Sequence, residues 1–415
     1  MSAFTWSDDD LTVREAVRKF VDTTIRPARE DLEEKGVPPY EIARAYYDAF
    51  GIGEAAGELF DWEIARDEAL VAGTEFTAPA PEGLGSSTLT VGNIELVKVC
   101  PGIPTSIGIS TGMVAGTINA MGSIAQRKKY VRDLLTLDKI GAWAITEPDS
   151  GSDAFGGMRT TAKVDGDGWV INGQKTFITN GPYADYMVVY AKLDDGSGAD
   201  KRQAPVLIFV LESGTEGLTQ GKPFRKMGMH SSPTGELFFD NVRVTRDNLL
   251  AGEPALVGKG EQKDGRESAR ANFVGERVGI STFALGIIEE CLRLCVDYAK
   301  TRELWGKPIG EFQLIQAKLA EMEIARVNVE NMILKALDAR RRGVTLDMAE
   351  ASAMKLYATR CASDVSMDAV QLFGGNGYMA EYHVEQLARD AKVLMIYGGS
   401  NEVQTTHVAK GLLRR

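Results

Sequence analysis

Several stretches of the chain carry residue types at spacings that could do chemistry. The segment Trp143-Ala-Ile-Thr-Glu-Pro-Asp-Ser-Gly-Ser-Asp153 places hydroxyls, small residues and a proline-stiffened turn directly after an apolar strand. Such a loop lets backbone N–H groups and hydroxyls approach a polar ligand closely, although the same composition also makes an ordinary turn. Next, Asn172-Gly-Gln-Lys-Thr-Phe-Ile-Thr-Asn-Gly181 reads as a turn feeding a strand, and the period of two puts Phe177 and Thr179 on one face. An aromatic beside a hydroxyl can stack on a planar ring system and hydrogen-bond to it; the alternative is a core Phe and a surface Thr. Gln371-Leu-Phe-Gly-Gly-Asn-Gly-Tyr378 breaks a helical pattern with glycines, as where a backbone closes on phosphate or on another chain. It lacks the strand-before-helix setting of a dinucleotide fingerprint.

A single carboxylate completes the set. At 100° per residue, Glu276 falls on the stripe of Ile280, Phe283, Ile287 and Leu294, so it points along an apolar helix face. Desolvation there would raise its pKa toward the range of a general base. The competing readings are a first-turn glutamate favoured by the helix dipole, or an ion pair with Arg277.

The elements that must position these residues are legible in the hydrophobic periods. From Asp8 to about Asp138 apolar residues such as Val13, Val17, Phe20 and Val21 recur at helical spacing, which predicts an all-helical domain over 1–138. Short runs rich in β-branched and aromatic residues, including Trp169 to Ile171, Tyr186 to Tyr190 and Val206 to Leu211, predict a β-barrel or sandwich over 139–252. The charged, Gly-bearing stretch 253–270 reads as a linker, and three long amphipathic patterns and a shorter fourth predict a helical bundle over 271–415. The fold class is therefore α+β and multidomain.

Composition narrows the function. A net charge of -11 and a pI near 5.1 argue against a nucleic-acid binder, whose footprint would be a basic face. Cys100, Cys291, Cys295 and Cys361 are scattered without a CxxC pair, which suggests neither a disulfide framework nor a metal site. The acidic N-terminus is unlike a secretory signal, and Ile107 to Ile124 is too rich in Gly, Ser, Thr and Asn for a membrane span; a buried helix and a cytoplasmic location are expected.

Taken together and in order, these segments closely resemble the acyl-CoA dehydrogenase family from about Gln126 to Arg415. Further matches are Lys226-Met-Gly-Met229, Thr301-Arg-Glu-Leu-Trp-Gly-Lys-Pro-Ile309, Arg389-Asp-Ala-Lys392 and Ile396-Tyr-Gly-Gly-Ser-Asn-Glu402. The N-terminal third matches only in helical character, and 76–106 departs from the family pattern. The resemblance implies a helical domain, a central β domain and a C-terminal four-helix bundle, a homotetramer built as a dimer of dimers, and non-covalent FAD. Trp143, Ile145, Thr146 and Ser152 would line the flavin, Phe177 would lie against its ring, and Thr179 would face N5. Arg302, Trp305, Gln371, Gly374 and Gly375 would reach a neighbouring subunit's FAD, and Ser400 and Glu402 match flavin-contacting positions. Ser152, Phe273, Arg277 and Tyr397 would meet the substrate.

One position departs from the pattern in a way that bears on mechanism. Most of the family has a glutamate base after the motif tyrosine, where this chain has Gly398. Long-chain and isovaleryl-type members resemble this chain instead, with a glutamate before the helix arginine, which here is Glu276. The implied reaction is removal of the α-proton of a fatty acyl-CoA by Glu276 as the β-hydrogen leaves as hydride to the flavin. The Gly398 N–H and a ribityl hydroxyl would polarise the thioester carbonyl, an electron-transfer flavoprotein would take the electrons, and the product would belong to fatty acid β-oxidation. The alternatives are the same chemistry on a carrier-protein or steroid side-chain thioester, or a non-catalytic FAD-binding subunit of a mixed oligomer.

Overall fold

A computed structural model of the chain describes residues 5–196, 202–251 and 265–414. The N-terminal third is helical: α1 (Asp8–Phe20), α2 (Arg26–Glu33), α3 (Tyr40–Phe50), α4 (Ile52–Ala72), α5 (Ser86–Val97), α6 (Gly102–Ile107), α7 (Ala115–Met121) and α8 (Ile124–Leu135). Ser7 and Ser123 open α1 and α8 with reciprocal capping boxes, each hydroxyl accepting from the N3 backbone while the N3 side chain accepts from the cap. The apolar run around 107–124 is a helical path, as expected, buried on one face only, and it passes through a π-helical segment, Gly108–Val114. No helix among the described residues is long and apolar enough to cross a membrane.

The middle of the chain forms one seven-stranded mixed sheet. Its strands are β1 (Gly141–Ala144), β2 (Thr161–Asp165), β3 (Gly168–Thr179), β4 (Tyr186–Asp194), β5 (Val206–Glu212), β6 (Leu218–Gln220) and β7 (Thr234–Val244). The order is β1-β4-β2-β3-β7-β6, with β5 antiparallel on β4. Both faces of β4 and β5 are buried. Met187, Val189, Leu207, Phe209 and Leu211 pack within the sheet's own core, whereas Val188, Tyr190, Val206, Ile208 and Val210 pack with Trp143 against helical residues such as Ile118 and Leu134. A strand buried on both sides reads as a continuous apolar run, which is why its sequence shows no alternation.

After the sheet come α9 (Gly265–Thr301), a short hairpin of β8 (Glu303–Leu304) and β9 (Lys307–Pro308), α10 (Gln313–Arg341), α11 (Met348–Phe373), α12 (Val384–Leu394) and α13 (Asn401–Leu413). The first three helices match the predicted long patterns; the shorter fourth is two helices separated at the Tyr397-Gly-Gly-Ser400 turn. The linker reading needs correction at its end, since residues 265–270 are helical; the rest of it, 253–264, lies outside the described residues. Those turns show no apolar period because polar bonds anchor them. The Arg266 guanidinium donates to the carbonyls of Arg202 and Ala204 at 3.1 and 2.9 Å, and Ala269 alone enters the core.

Buried charges join the helical domain to the bundle. Glu95 on α5 is held by Arg14 at 2.7 Å, Lys98 at 2.7 Å and Arg18 at 3.2 Å, and Lys98 also reaches Glu289 on α9 at 2.8 Å. Burial alone would push the Glu95 carboxyl up, but Lys98, Arg18 and Arg14 hold it down at about 2. Its folded pKa is therefore below the unfolded one, so its stabilisation is present above the ordinary carboxylate range and is lost as pH falls toward 2. Glu95→Gln is expected to cost about 3 kcal/mol at neutral pH, read from the urea midpoint, because it leaves buried cations without their anion. The parent and variant midpoints should converge as pH falls to about 2.

Candidate active site

Glu276 lies about three turns inside α9, because that helix begins at Gly265. This removes the first-turn reading. The ion-pair reading also fails: the Arg277 guanidinium turns to α11, donating to Ser352 Oγ at 3.0 Å and lying against Met348 Sδ, while the Glu276 side chain has no hydrogen bond or ion pair among the described residues. Below it on the same face, Ile280 and Ile287 are buried. Burial raises the Glu276 carboxyl to about 7, with the positive charges of Arg277 and Lys355 holding it back from going higher.

Gly398 shares this pocket. A Cβ on it would lie 3.3 Å from Glu276 Cδ and 3.4 Å from Oε1, and would clash with Ile280 Cδ1. The residue also has φ +60°, a left-handed conformation that glycine adopts without strain. The turn is pinned from behind. Gln404 Nε2 donates to the carbonyls of Gly398 and Gly399 at 3.0 and 2.7 Å, and Lys355 Nζ donates to Gly399 O at 2.7 Å. The Gly398 N–H itself has no acceptor among the described residues. Beside it, the Tyr397 hydroxyl is buried without a hydrogen-bond partner among the described residues.

A second group gathers on β1 and β3. Trp143 is buried edge-on against Tyr190 and Phe273, at 5.0 and 6.1 Å between ring centroids, and its Nε1 has no acceptor among the described residues. Phe273 thus links the β1 loop to α9, three residues before Glu276. The loop is locked to β3 by a pair that the sequence reading passed over: Lys175, fully buried, donates to Glu147 at 2.8 Å and to the Ile145 carbonyl at 3.0 Å. The Thr146 carbonyl accepts from Thr176 N–H at 2.9 Å, and Ser152 is exposed. The strand is not regular where it matters. A bulge between Lys175 and Ile178 gives Phe177 φ +58° and leaves it 66% exposed, while Thr179 is partly exposed.

A third group lies at the far end of α9. Arg302 is exposed with no side-chain partner among the described residues, and Trp305, in the β8–β9 turn, is 87% exposed. Tyr298 stacks on Phe373 at 4.1 Å and accepts from Asn376 Nδ2 at 3.0 Å, which brings the glycine turn beside this hairpin. Gln371, Gly374 and Gly375 are exposed, and nothing lies within 4 Å of a Cβ built on either glycine. Along the helix, Arg302 is about 39 Å from Glu276. Ser400 stands at the N-terminal boundary of α13 and Glu402 is exposed in its first turn, so both flank the Gly398 turn.

Sequence reasoning passed over Lys175, Lys355 and Gln404. A signal existed for Lys355, which stands at helical spacing between Ala351, Ala358 and Ala362, on a face whose other members are small and buried.

The family models of the acyl-CoA dehydrogenase middle domain and C-terminal domain match residues 142–242 and 263–413. An acyl-CoA dehydrogenase of Bacillus subtilis is 35% identical over 98% of each chain. A short-chain specific acyl-CoA dehydrogenase of Megasphaera elsdenii is 38% identical over 77% of this chain and 80% of its own. The structure of butyryl-CoA dehydrogenase from the same organism superposes with a TM-score of 0.84 at 31% identity, covering 100% of both chains. The likeness therefore includes the N-terminal third, beyond the Gln126 limit read from motifs.

The shared pocket makes a test that is independent of activity. Gly398→Ala should cost about 1–3 kcal/mol in a denaturation midpoint, from its left-handed backbone and the clash with Ile280 Cδ1. Ile280→Val deletes the clashing atom, so in that background Gly398→Ala should cost about 1 kcal/mol less. Strict additivity of the two substitutions would contradict the placement.

Proposed function

The chain belongs to the acyl-CoA dehydrogenase family, a family of flavoprotein oxidoreductases, and on that premise we propose that it oxidises a fatty acyl-CoA to the trans-2-enoyl-CoA with Glu276 as the base. The observation that carries this reading is the Glu276 carboxyl, raised to about 7 and without an ion-pair partner among the described residues, in one pocket with a Gly398 N–H that has no acceptor among them. A base poised near neutrality is ionised for a useful fraction of enzyme and still basic enough to take a weakly acidic proton. The Gly398 N–H, aimed at the thioester oxygen, makes the α-proton more acidic by stabilising the charge that develops there, a contribution of roughly a few kcal/mol. Phe273, Tyr397 and Ser152 are the proposed substrate contacts; Arg277, also expected there, is 2% exposed with its guanidinium on α11 and is not placed to meet substrate. Tyr397 lies beside the two reacting groups, and Phe273 closes the side toward β1.

The residues present fit FAD. Trp143 Nε1 is a buried donor without an acceptor among the described residues, Phe177 offers an exposed ring at a bulge, Ile145 and Thr146 are tied by their carbonyls to β3 beside it, and Ser152 and Thr179 are at least partly exposed, with Ser400 and Glu402 beside the Gly398 turn. When bound, FAD supplies the hydride acceptor for the β-hydrogen. Arg302, Trp305, Gln371, Gly374 and Gly375 are too far along α9 to complete the same flavin site, since about 39 Å separates Arg302 from Glu276. In this reading they serve the FAD of a neighbouring copy, within a homotetramer arranged as a dimer of dimers. The electrons pass to an electron-transfer flavoprotein, and the cytoplasm is the proposed setting.

Anaerobic bleaching of the flavin by acyl-CoA tests the base directly. Glu276→Gln keeps the shape of the side chain, so acyl-CoA should still bind and perturb the flavin spectrum while the bleaching rate falls about a hundred- to ten-thousandfold. A variant that bleaches like its parent would sink the assignment. Arg302→Ala removes a charged donor to phosphate and should weaken flavin retention about ten- to a hundredfold, together with the oligomer seen by sedimentation. A strictly monomeric holoenzyme would refute the shared site.

A further inference from the structure

We infer that Lys355 is a positioning residue for the proposed reaction: from inside the bundle it fixes the Gly398-Gly399 turn and sets a positive charge behind Glu276. The inference rests on reading Glu276 as the base, and goes beyond it by naming what orients the N–H donor and keeps the base ionised.

Lys355 is fully buried on α11, and its one hydrogen-bond partner among the described residues is the Gly399 carbonyl at 2.7 Å. Burying an ammonium against one neutral oxygen is costly, and an apolar side chain of similar volume would serve packing better. Its placement therefore calls for a reason other than packing. The geometry supplies two. Together with Gln404, Lys355 holds the carbonyls of Gly398 and Gly399, on the two peptides that directly follow the one carrying the Gly398 N–H, in a turn with φ +60° and +84°, and so limits how far that N–H can swing. A loop donor left to wander would lose the alignment on which carbonyl polarisation depends.

The second reason is charge. Glu276 is faced by Arg277 from its own helix, by Lys355 from α11, and by the Tyr397 hydroxyl from the turn before α13. Glu402 on α13 acts on Lys355 and feels the charges of Lys392 on α12 and of Lys355, while His407 on α13 feels Arg277 and Lys410. Both cations act on Glu276, Arg277 the more strongly; Arg277 points its guanidinium at Ser352 and Met348, whereas Lys355 also holds the Gly399 carbonyl, so it is the cation that couples the charge to the turn. Burial lowers the Lys355 ammonium to about 8, with the Glu276 charge working to restore it. At neutral pH the lysine therefore still carries its proton for most of the population, and it favours the ionised form of the base.

The test uses holoenzyme and reads the pH dependence of anaerobic flavin bleaching by a saturating straight-chain acyl-CoA. In the parent, the rate falls on the acid side as Glu276 takes up a proton. Lys355→Met fills the space without charge or donor. Its acid limb should move up by about one pH unit, and its plateau at high pH should fall about tenfold. Lys355→Gln keeps a donor for Gly399 but not the charge, so its plateau should recover to within a few-fold of the parent while the limb stays displaced. A yellow Lys355→Met whose limb coincides with the parent's overturns the inference. If that variant does not hold flavin, the limb of Lys355→Gln decides alone, and a Lys355→Gln that cannot fold also overturns it, because the lysine would then be a requirement of packing. Glu276→Gln, run beside them, separates the two readings. Bleaching with the parent's limb in Glu276→Gln would defeat the base assignment, whereas an unmoved limb in the lysine variants with Glu276→Gln silent defeats only the role of Lys355.

Discussion

A carboxylate can be largely shielded from water only where its neighbours leave it no better partner, and the arrangement around the half-buried Glu276 follows from that constraint. Arg277 is drawn off to Ser352 and Met348, and the face below is Ile280. The opposite wall is a glycine, so no side chain competes for the space beside the carboxyl. Were α9 to start where the loss of apolar period suggests, Glu276 would sit in a first turn, open to solvent and to the helix dipole. The anchored extension from Gly265, tied down by Arg266, makes that position an interior one.

The domains meet through buried polar groups as much as through apolar ones, and this fixes the pocket's walls relative to each other. Glu33 on α2 accepts from His230 and Ser231 N–H at 3.0 and 3.2 Å, while Asp390 on α12 accepts from Met229 N–H in the same loop and from Gln386 at 3.1 Å. One short loop of the β domain is thus held by the helical domain and by the bundle. Burial and the neighbouring Glu33 raise Asp390, and burial lowers Lys226 of that loop to about 8. Such groups satisfy backbone donors that would otherwise be stranded at a domain junction.

Much of the fold was legible in the sequence because its long helices carry strong periods and its strands are punctuated by Gly and Asp. The extent of α9 was not, because its first turns are held by a guanidinium on backbone carbonyls rather than by an apolar stripe. At the site, Glu276 was legible from its place on an apolar face. The bulge that turns Phe177 outward was not, since a period of two cannot register an inserted residue. Lys175 and Lys355 were missed for a common reason: a lysine in a sequence reads as a solvated side chain, and only the fold shows that both are fully buried.

The central claim is that Glu276 is a carboxyl raised to about 7 by its surroundings. Infrared difference spectra of the holoenzyme between alkaline and acidic pH, compared with those of Glu276→Gln, measure it without turnover. The account predicts a protonated-carboxyl band in the parent that grows in with a midpoint near 7 and is missing from the variant. A band for this residue with a midpoint in the ordinary glutamate range of about 4, or spectra that the substitution leaves unchanged, would contradict it.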